Sequence, residues 1–134
     1  MSKTPPASFL QATFIAPGVT VNDLARSIAF YEGLGFAVGE RWEHEGKLMG
    51  VMLHAGTSMY GLSQDDFAKG KDRVKGVGMR TWISTEQDID ELAARAKAAG
   101  VTLDSDPEDY PWGGRGFAVT DPDGFKLTIS REGK

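Results

Sequence analysis

Two similar segments follow one another in the sequence, and this repeat limits the folds that the chain can adopt. Each segment has the pattern of a strand, a capped helix and a glycine followed by a hydrophobic residue; the segments cover 13–36 and 78–101. Repeats of this size are typical of units that cannot each bury an apolar face alone. We therefore predict two modules that share one core, with the functional site in the cleft between them.

Composition and charge narrow the class of protein. A chain of 134 residues, 40% hydrophobic and 25% charged, suits a single compact domain. The net charge of -4 comes from acids scattered among bases, without the basic face that nucleic-acid binding needs. No apolar run approaches the roughly 20 residues of a membrane span, and residues 1–6 lack signal-peptide features. We expect a cytoplasmic protein that binds neither nucleic acid nor membranes.

The absence of cysteine removes several kinds of site. Without a thiol the chain has no disulfide, no thiolate metal site and no cysteine nucleophile. Zinc-finger and thiol-redox functions are therefore excluded.

Two helices are predicted from their ends and apolar stripes. In the first, Asn22 or Asp23 is a good N-cap, and Gly33 and Gly35 end the helix. Its stripe consists of Leu24, Ile28 and Tyr31. In the second, 84–87 matches a capping box, and Gly100 ends the helix. Its stripe consists of Ile89, Leu92, Ala93 and Ala96.

Short apolar runs separated by turn residues predict the remaining strands. They cover 36–43, 48–54 and 58–63 in the first half, and 101–104, 115–120 and 125–131 in the second. We thus predict an α+β fold of two tandem βαβββ modules, which form a cupped mixed sheet with helices on the convex face. The single domain, 1–134, would contain module one at about 9–64, a charged linker or short solvated helix at 65–76, and module two at about 77–131.

Two sequence signatures indicate a family. The first combines Asn22-Asp23-Leu24 with Phe30-Tyr31 and Leu34-Gly35-Phe36, and the second combines 112–115 (Trp-Gly-Gly-Arg) with 121–124 (Asp-Pro-Asp-Gly). With the element order, they resemble the vicinal oxygen chelate superfamily over 13–131. This superfamily includes glyoxalase I, the extradiol dioxygenases and the fosfomycin- and bleomycin-resistance proteins. Because the fold hosts many reactions, the resemblance implies the fold more strongly than the activity.

The resemblance also implies four positions for metal ligands on the concave face. They fall on Ala16, Gly61, Arg80 and Thr128, where metalloenzymes of the superfamily carry histidine or glutamate. Alanine and glycine have no donor atom, and a guanidinium has no lone pair to give. We therefore expect no divalent metal and no other cofactor.

A different group of side chains suggests ligand binding. Strand alternation turns Arg80 and Trp82 into the cleft, while the family's cleft-closing loop, 107–116, carries Tyr110, Trp112 and Arg115. Together with Thr128, these residues suit a planar or anionic organic ligand. The alternative is structural: Trp82 and Trp112 fill the core or a dimer seam, and Arg80 pairs with an acid such as Asp121.

The sequence contains only two histidines, so it offers few candidates for a catalytic base. His44 lies in a charged turn and is expected to be solvated. His54, near a strand end, is either a partly buried structural residue, or a general base or relocated metal ligand with Glu40 or Glu43 nearby. Tyr110 is a second weak candidate for a catalytic role.

Two functions from different classes therefore remain open. The first is a non-catalytic protein that binds a small organic molecule, similar to the bleomycin-resistance group; the alternative is a divergent lyase, isomerase or dioxygenase of the superfamily. Arg80 and Arg115 do not provide an acidic groove for a cationic drug such as bleomycin. In either case the resemblance implies a homodimer, since members with two short modules usually pair, by joining modules within a chain or exchanging them between chains, and both modes give closed two-fold symmetry.

Overall fold

The computed structural model describes residues 4–133 and contains two modules with the same order of elements. The first module consists of β1 (Gly18–Val21), α1 (Leu24–Leu34), β2 (Ala37–His44), β3 (Lys47–Ala55) and β4 (Ser58–Gln64). The second consists of β5 (Arg80–Ser84), α2 (Ile89–Ala98), β6 (Leu103–Asp109), β7 (Arg115–Thr120) and β8 (Lys126–Arg131). The predicted α+β fold of tandem βαβββ modules is confirmed.

Each module forms one four-stranded mixed sheet. The strand orders are β1-β4-β3-β2 and β5-β8-β7-β6, with β1 parallel to β4 and β5 parallel to β8. One face of each sheet packs on the helix of its own module, and alternate residues such as Val19 and Val21 are buried there. The other face of each sheet carries the side chains considered below.

The first helix has the predicted N-cap, Asp23, and ends at the predicted Gly35, whereas Gly33 lies within it. The Asp23 side chain accepts a hydrogen bond from the Arg26 backbone N–H at 3.2 Å, which satisfies one free donor of the first turn. Gly35 ends the helix with φ of 111°, a left-handed conformation that favours glycine. None of the helices in the part that the structure describes is long and apolar enough to span a membrane.

The predicted start of the second helix is wrong. The N-cap is Asp88, whose carboxylate accepts from the Glu91 backbone N–H at 3.1 Å, and not a residue of the 84–87 capping box. Ser84 is the last residue of β5, and the Thr85 N–H donates to the Ser130 carbonyl at 2.9 Å. The chain therefore continues along the sheet at the point where the capping-box pattern predicted a helical turn.

The two modules share one core and are joined by buried hydrogen bonds. The turn at 121–124 lies against α1, where the Tyr31 hydroxyl donates to Asp121 Oδ2 at 2.6 Å. In the same turn Asp123 accepts from the Asn22 backbone N–H at 2.9 Å and from Ser27 Oγ at 3.3 Å. These bonds attach the turn of the second module to α1 and to the residue before its N-cap.

The charged segment 65–76 contains no helix and is held down by ion pairs. Asp65 accepts a hydrogen bond from the Phe67 backbone N–H at 2.9 Å and lies 2.8 Å from Lys75 Nζ and 3.2 Å from an Arg73 nitrogen. The Lys75 side chain is only 5% exposed. These neighbours hold the pKa of Asp65 below its ordinary value, with the hydrogen bond from Lys75 as the main cause.

Candidate functional site

The candidate site lies on the face of the second sheet that is turned away from α2, which we call the open face. Leu127 and Ile129 enter the core, so Lys126, Thr128 and Ser130 lie on the open face. Strand pairing places residues of β5 and β7 beside them on the same face. These neighbours are Arg80, Trp82 and Ser84 of β5, and Gly116, Ala118 and Thr120 of β7.

Arg80 is held by a neutral partner on this face. Its Nη1 donates to Thr128 Oγ1 at 2.9 Å, and Thr128 is only 5% exposed. Within residues 4–133, no carboxylate lies within ion-pair distance of the Arg80 guanidinium. Asp121 accepts from Tyr31 instead of pairing with Arg80. The Arg80 guanidinium is thus exposed and hydrogen-bonded to a neutral group.

The aromatic side chains of the site are open to solvent in this chain. Trp82 is 63% exposed and Trp112 is 74% exposed, so neither fills the core of the chain. The rings of Tyr110 and Trp112 stack with centroids 4.8 Å apart and an interplanar angle of 17°. The Tyr110 N–H donates to the Gly114 carbonyl at 2.9 Å, which closes the turn that carries both rings.

Tyr110 extends over the open face because Gly116 has no side chain. A Cβ at Gly116 would lie 2.5 Å from the Tyr110 hydroxyl and 2.8 Å from the Ser130 Cβ. Burial raises the pKa of Tyr110, Glu108 adds to the rise, and the nearby charge of Arg80 opposes it. Arg80 and Tyr110 thus belong to one electrostatic environment. Sequence patterns did not identify Gly116, because its role depends on a contact across the sheet.

Small side chains lie between the aromatic groups. Strand pairing puts Thr128 and Ala118 in line with Trp82, and puts Ser130 and Gly116 in line with Ser84. Two strand spacings, about 10 Å, separate β5 from β7. These small residues form a floor between Trp82 and the turn that carries Tyr110 and Trp112, where Arg80 contacts Thr128 and the Tyr110 hydroxyl lies over Gly116.

The structure does not bring Arg115 together with these residues. Arg115 alternates with Gly116 and lies on the opposite face, where it contacts Asp90 at 2.8 Å and Asp109 at 3.1 Å. Hydrogen bonds to Asp90 and Asp109 raise the pKa of Arg115, and the same guanidinium lowers the pKa of Asp90. Arg115 therefore serves to join β6 and β7 to the first turn of α2.

The first sheet carries a histidine–carboxylate pair on its face away from α1. His54 Nε2 lies 2.7 Å from Glu40 Oε1, and this hydrogen bond is the main cause of the lowered pKa of Glu40. The pairs Val38 with Leu53 and Arg41 with Val51 leave one extra residue in β2, which is a β-bulge at 39–40. A Cβ at Gly39 would lie 2.5 Å from the His54 ring, so glycine is required beneath it.

The sequence matches a family model over residues 12–129, almost the whole chain. That model describes the glyoxalase/bleomycin resistance protein/dioxygenase superfamily. The chain belongs to this superfamily. Among curated proteins, none matches the chain significantly in sequence.

Several solved structures share the fold. TioX from Micromonospora sp. ML1 is 21% identical, with a TM-score of 0.72 over 90% of this chain and 99% of TioX. A superfamily member from Sphaerobacter thermophilus is 24% identical, with a TM-score of 0.71 over 91% of this chain and 98% of that one. A bleomycin-binding protein in complex with bleomycin is 21% identical, with a TM-score of 0.67 over 90% and 99% of the two chains.

The four positions predicted for metal ligands can be compared by register. Gly61 pairs with Gly18, two residues after Ala16, and Thr128 pairs with Trp82, two residues after Arg80. Ala16 and Arg80 are therefore equivalent positions in the two modules. The one side-chain oxygen among the four, Thr128 Oγ1, already accepts from Arg80. This donor set does not fit a divalent metal, which prefers imidazole or carboxylate ligands.

Proposed function

We propose that this superfamily member binds a small planar organic molecule on the open face of the second sheet, without the metal of the superfamily. The observation that carries this proposal is the arrangement of Trp82, Tyr110 and Trp112 around a floor of small residues, beside an Arg80 guanidinium whose partner, Thr128, is neutral. Aromatic rings offer large flat contact areas at low entropic cost. The bleomycin-binding relative, complexed with bleomycin, is a small-molecule binder with the same fold.

We further propose that two chains associate and that each open face is covered in the dimer. One cavity, of about 420 Å³, lies between the C-terminal ends of α1 and α2. Another, of about 400 Å³, lies around Arg115. Both are away from the open face. The segment before β1 exposes four large apolar side chains. They are Phe9, Leu10, Phe14 and Ile15. Exposed apolar surface of this kind is typical of an interface, and a two-fold pair would give two equivalent sites.

The effect of Trp82 on ligand binding tests the first proposal. Planar aromatic molecules of different charge are titrated into chelator-treated protein, and calorimetry measures their affinities. Light scattering measures the mass of the protein, which for a dimer is twice 14.5 kDa. We expect Trp82→Ala to weaken the tightest ligand about tenfold, because a stacking contact is lost. Val77→Ala, an exposed truncation just before β5, is the control and should have no effect. Binding that appears only after a divalent metal is added would contradict the proposal.

The pair of His54 and Glu40 favours a second candidate function, which is an isomerase or lyase that moves a proton without a metal. A carboxylate that accepts from a histidine fixes the tautomer and leaves the other ring nitrogen as a base. The bulge and Gly39 position this pair at 2.7 Å, although the His54 side chain is also 37% exposed.

A proton-abstraction probe tests that candidate. With 5-nitrobenzisoxazole, a base removes the ring C–H proton, the N–O bond breaks, and a nitrile and a phenolate form. If His54 is a base, His54→Gln should slow the protein-dependent rate about tenfold or more, and Glu40→Gln should slow it less. His44→Gln is the matched control. Equal rates for the wild-type and His54→Gln proteins would remove this candidate.

A further inference from the structure

A second cation lies directly beside Arg80 on the open face. Lys126 of β8 is the register partner of Arg80 of β5, so the two side chains leave adjacent strands on the same side. Lys126 is exposed, and its Nζ contacts a neutral oxygen, Thr120 Oγ1, at 3.4 Å. Sequence patterns did not single out this lysine, because its neighbour is distant in the chain.

Two positive side chains in register on adjacent strands repel each other unless an anionic group lies between them. Like charges directly opposite on neighbouring strands destabilise a sheet. The nearest acid along this row, Asp104 of β6, accepts from Thr120 Oγ1 at 2.5 Å, and among the described residues no carboxylate lies within 4 Å of Lys126. Neither cation is therefore neutralised by a carboxylate among residues 4–133.

We infer that Arg80 and Lys126 form an anion subsite, and that the ligand of the open face is a planar aromatic carboxylate. This inference rests on the proposed binding function and adds the charge of the ligand. Arg80 uses one N–H on Thr128 and keeps further donors for a carboxylate, while Lys126 adds a point charge. Charge-assisted hydrogen bonds of this kind are stronger than neutral ones.

The spacing of the site matches such a molecule. Arg80 and Trp82 are two residues apart on one face of β5, which corresponds to about 7 Å along the strand. A ring that stacks on Trp82 can thus place an attached carboxylate at the cationic end of the floor. A cationic ligand would meet repulsion from both Arg80 and Lys126.

Three naphthalene derivatives, one anionic, one neutral and one cationic, test the inference. They are 2-naphthoate, neutral 2-naphthamide and cationic 2-naphthylmethylamine, titrated into the full chain at low and at moderate salt. We expect 2-naphthoate to bind at least about tenfold more tightly than the amide, with an advantage that falls as salt rises. Lys126→Gln and Arg80→Gln should each weaken 2-naphthoate about tenfold and leave the amide unchanged.

The control variant is Arg115→Gln, which removes an arginine on the opposite face and should not alter the preference for the anion. If Arg80→Gln fails to fold, the exposed Lys126 alone decides the outcome. Equal affinity for the three molecules, or a preference for the anion that survives Lys126→Gln, would overturn the anion subsite and leave the binding function intact. Failure of all three to bind would instead count against the binding function itself.

Discussion

Replacing Asp121 by alanine should lower the free energy of unfolding by about 4 kcal/mol, because one buried donor and two partly buried donors lose their acceptor. The Tyr31 hydroxyl donates to Oδ2 at 2.6 Å, and the backbone N–H groups of Asp123 and Phe125 donate to Oδ1 at 2.8 and 2.9 Å. Tyr31 is fully buried and Asp121 is 4% exposed, so water does not replace these bonds in the wild-type protein. Urea denaturation at neutral pH measures the loss.

A double-mutant cycle separates the contribution of Tyr31. Tyr31→Phe alone should cost about 1 kcal/mol, since the backbone donors of the turn keep their acceptor. Asp121→Ala should then cost less in the Tyr31→Phe background than in the wild-type, because no buried hydroxyl is left unpaired. Strictly additive costs would show that the bond from Tyr31 to Asp121 does not join the modules energetically.

Asp121 also makes stability depend on pH in a defined direction. Burial raises its pKa above the ordinary carboxyl value, although hydrogen bonds from Tyr31 and the turn oppose the shift. The folded protein then binds a proton more readily than the unfolded chain. The resulting stabilisation is fully present below the ordinary carboxyl pKa and is lost as pH rises through the raised value. Asp121→Asn should lack this component when unfolding is followed across the acid range.

The fold could be predicted from the sequence because its signals are local. The capping of α1 by Asp23, the left-handed Gly35 and the alternation of Val19 and Val21 each involve neighbours in the chain. The start of α2 could not be predicted in this way. There the ladder bond from Thr85 to Ser130, a residue far along the chain, outweighs a good local capping pattern.

For the candidate site, the face on which a side chain lies could be predicted only for residues of a single strand. Alternation along β5 placed Arg80 and Trp82 on the same face, and Trp82 is exposed there as the structure shows. Arg115 is the same residue type as Arg80, but it alternates with Gly116 and therefore lies on the opposite face of the sheet. Position along the strand, and not residue type, decides the face on which each arginine lies. Lys126 and Gly116 matter because of their neighbours on other strands, and sequence gives no register between strands that are distant in the chain.

Gly76→Ala should also destabilise the protein strongly, by about 3 kcal/mol or more. Gly76 has φ of +77°, and a Cβ there would lie 2.2 Å from the Gly124 carbonyl oxygen and 2.7 Å from the Phe125 nitrogen. The left-handed conformation costs an L-residue about 1 to 2 kcal/mol, and overpacking against the backbone typically adds about 1 to 3 kcal/mol. The segment 65–76 is thus fitted against the turn of the second module, although its composition is that of a linker.

Gly78→Ala is the matched control, since Gly78 has nearly the same φ, +72°, and no atom within 4 Å of a new Cβ. It should cost only the conformational part, about 1 to 2 kcal/mol. The difference between the two variants in urea denaturation therefore measures the contact between segment 65–76 and the turn at 121–124. That turn also carries Asp121, so displacement of its backbone by Gly76→Ala should weaken the bond to Tyr31. If the two glycine variants lose the same stability, the segment is not held against the turn by this contact, and the bonds of Asp121 and Asp123 to the first module join the modules without it.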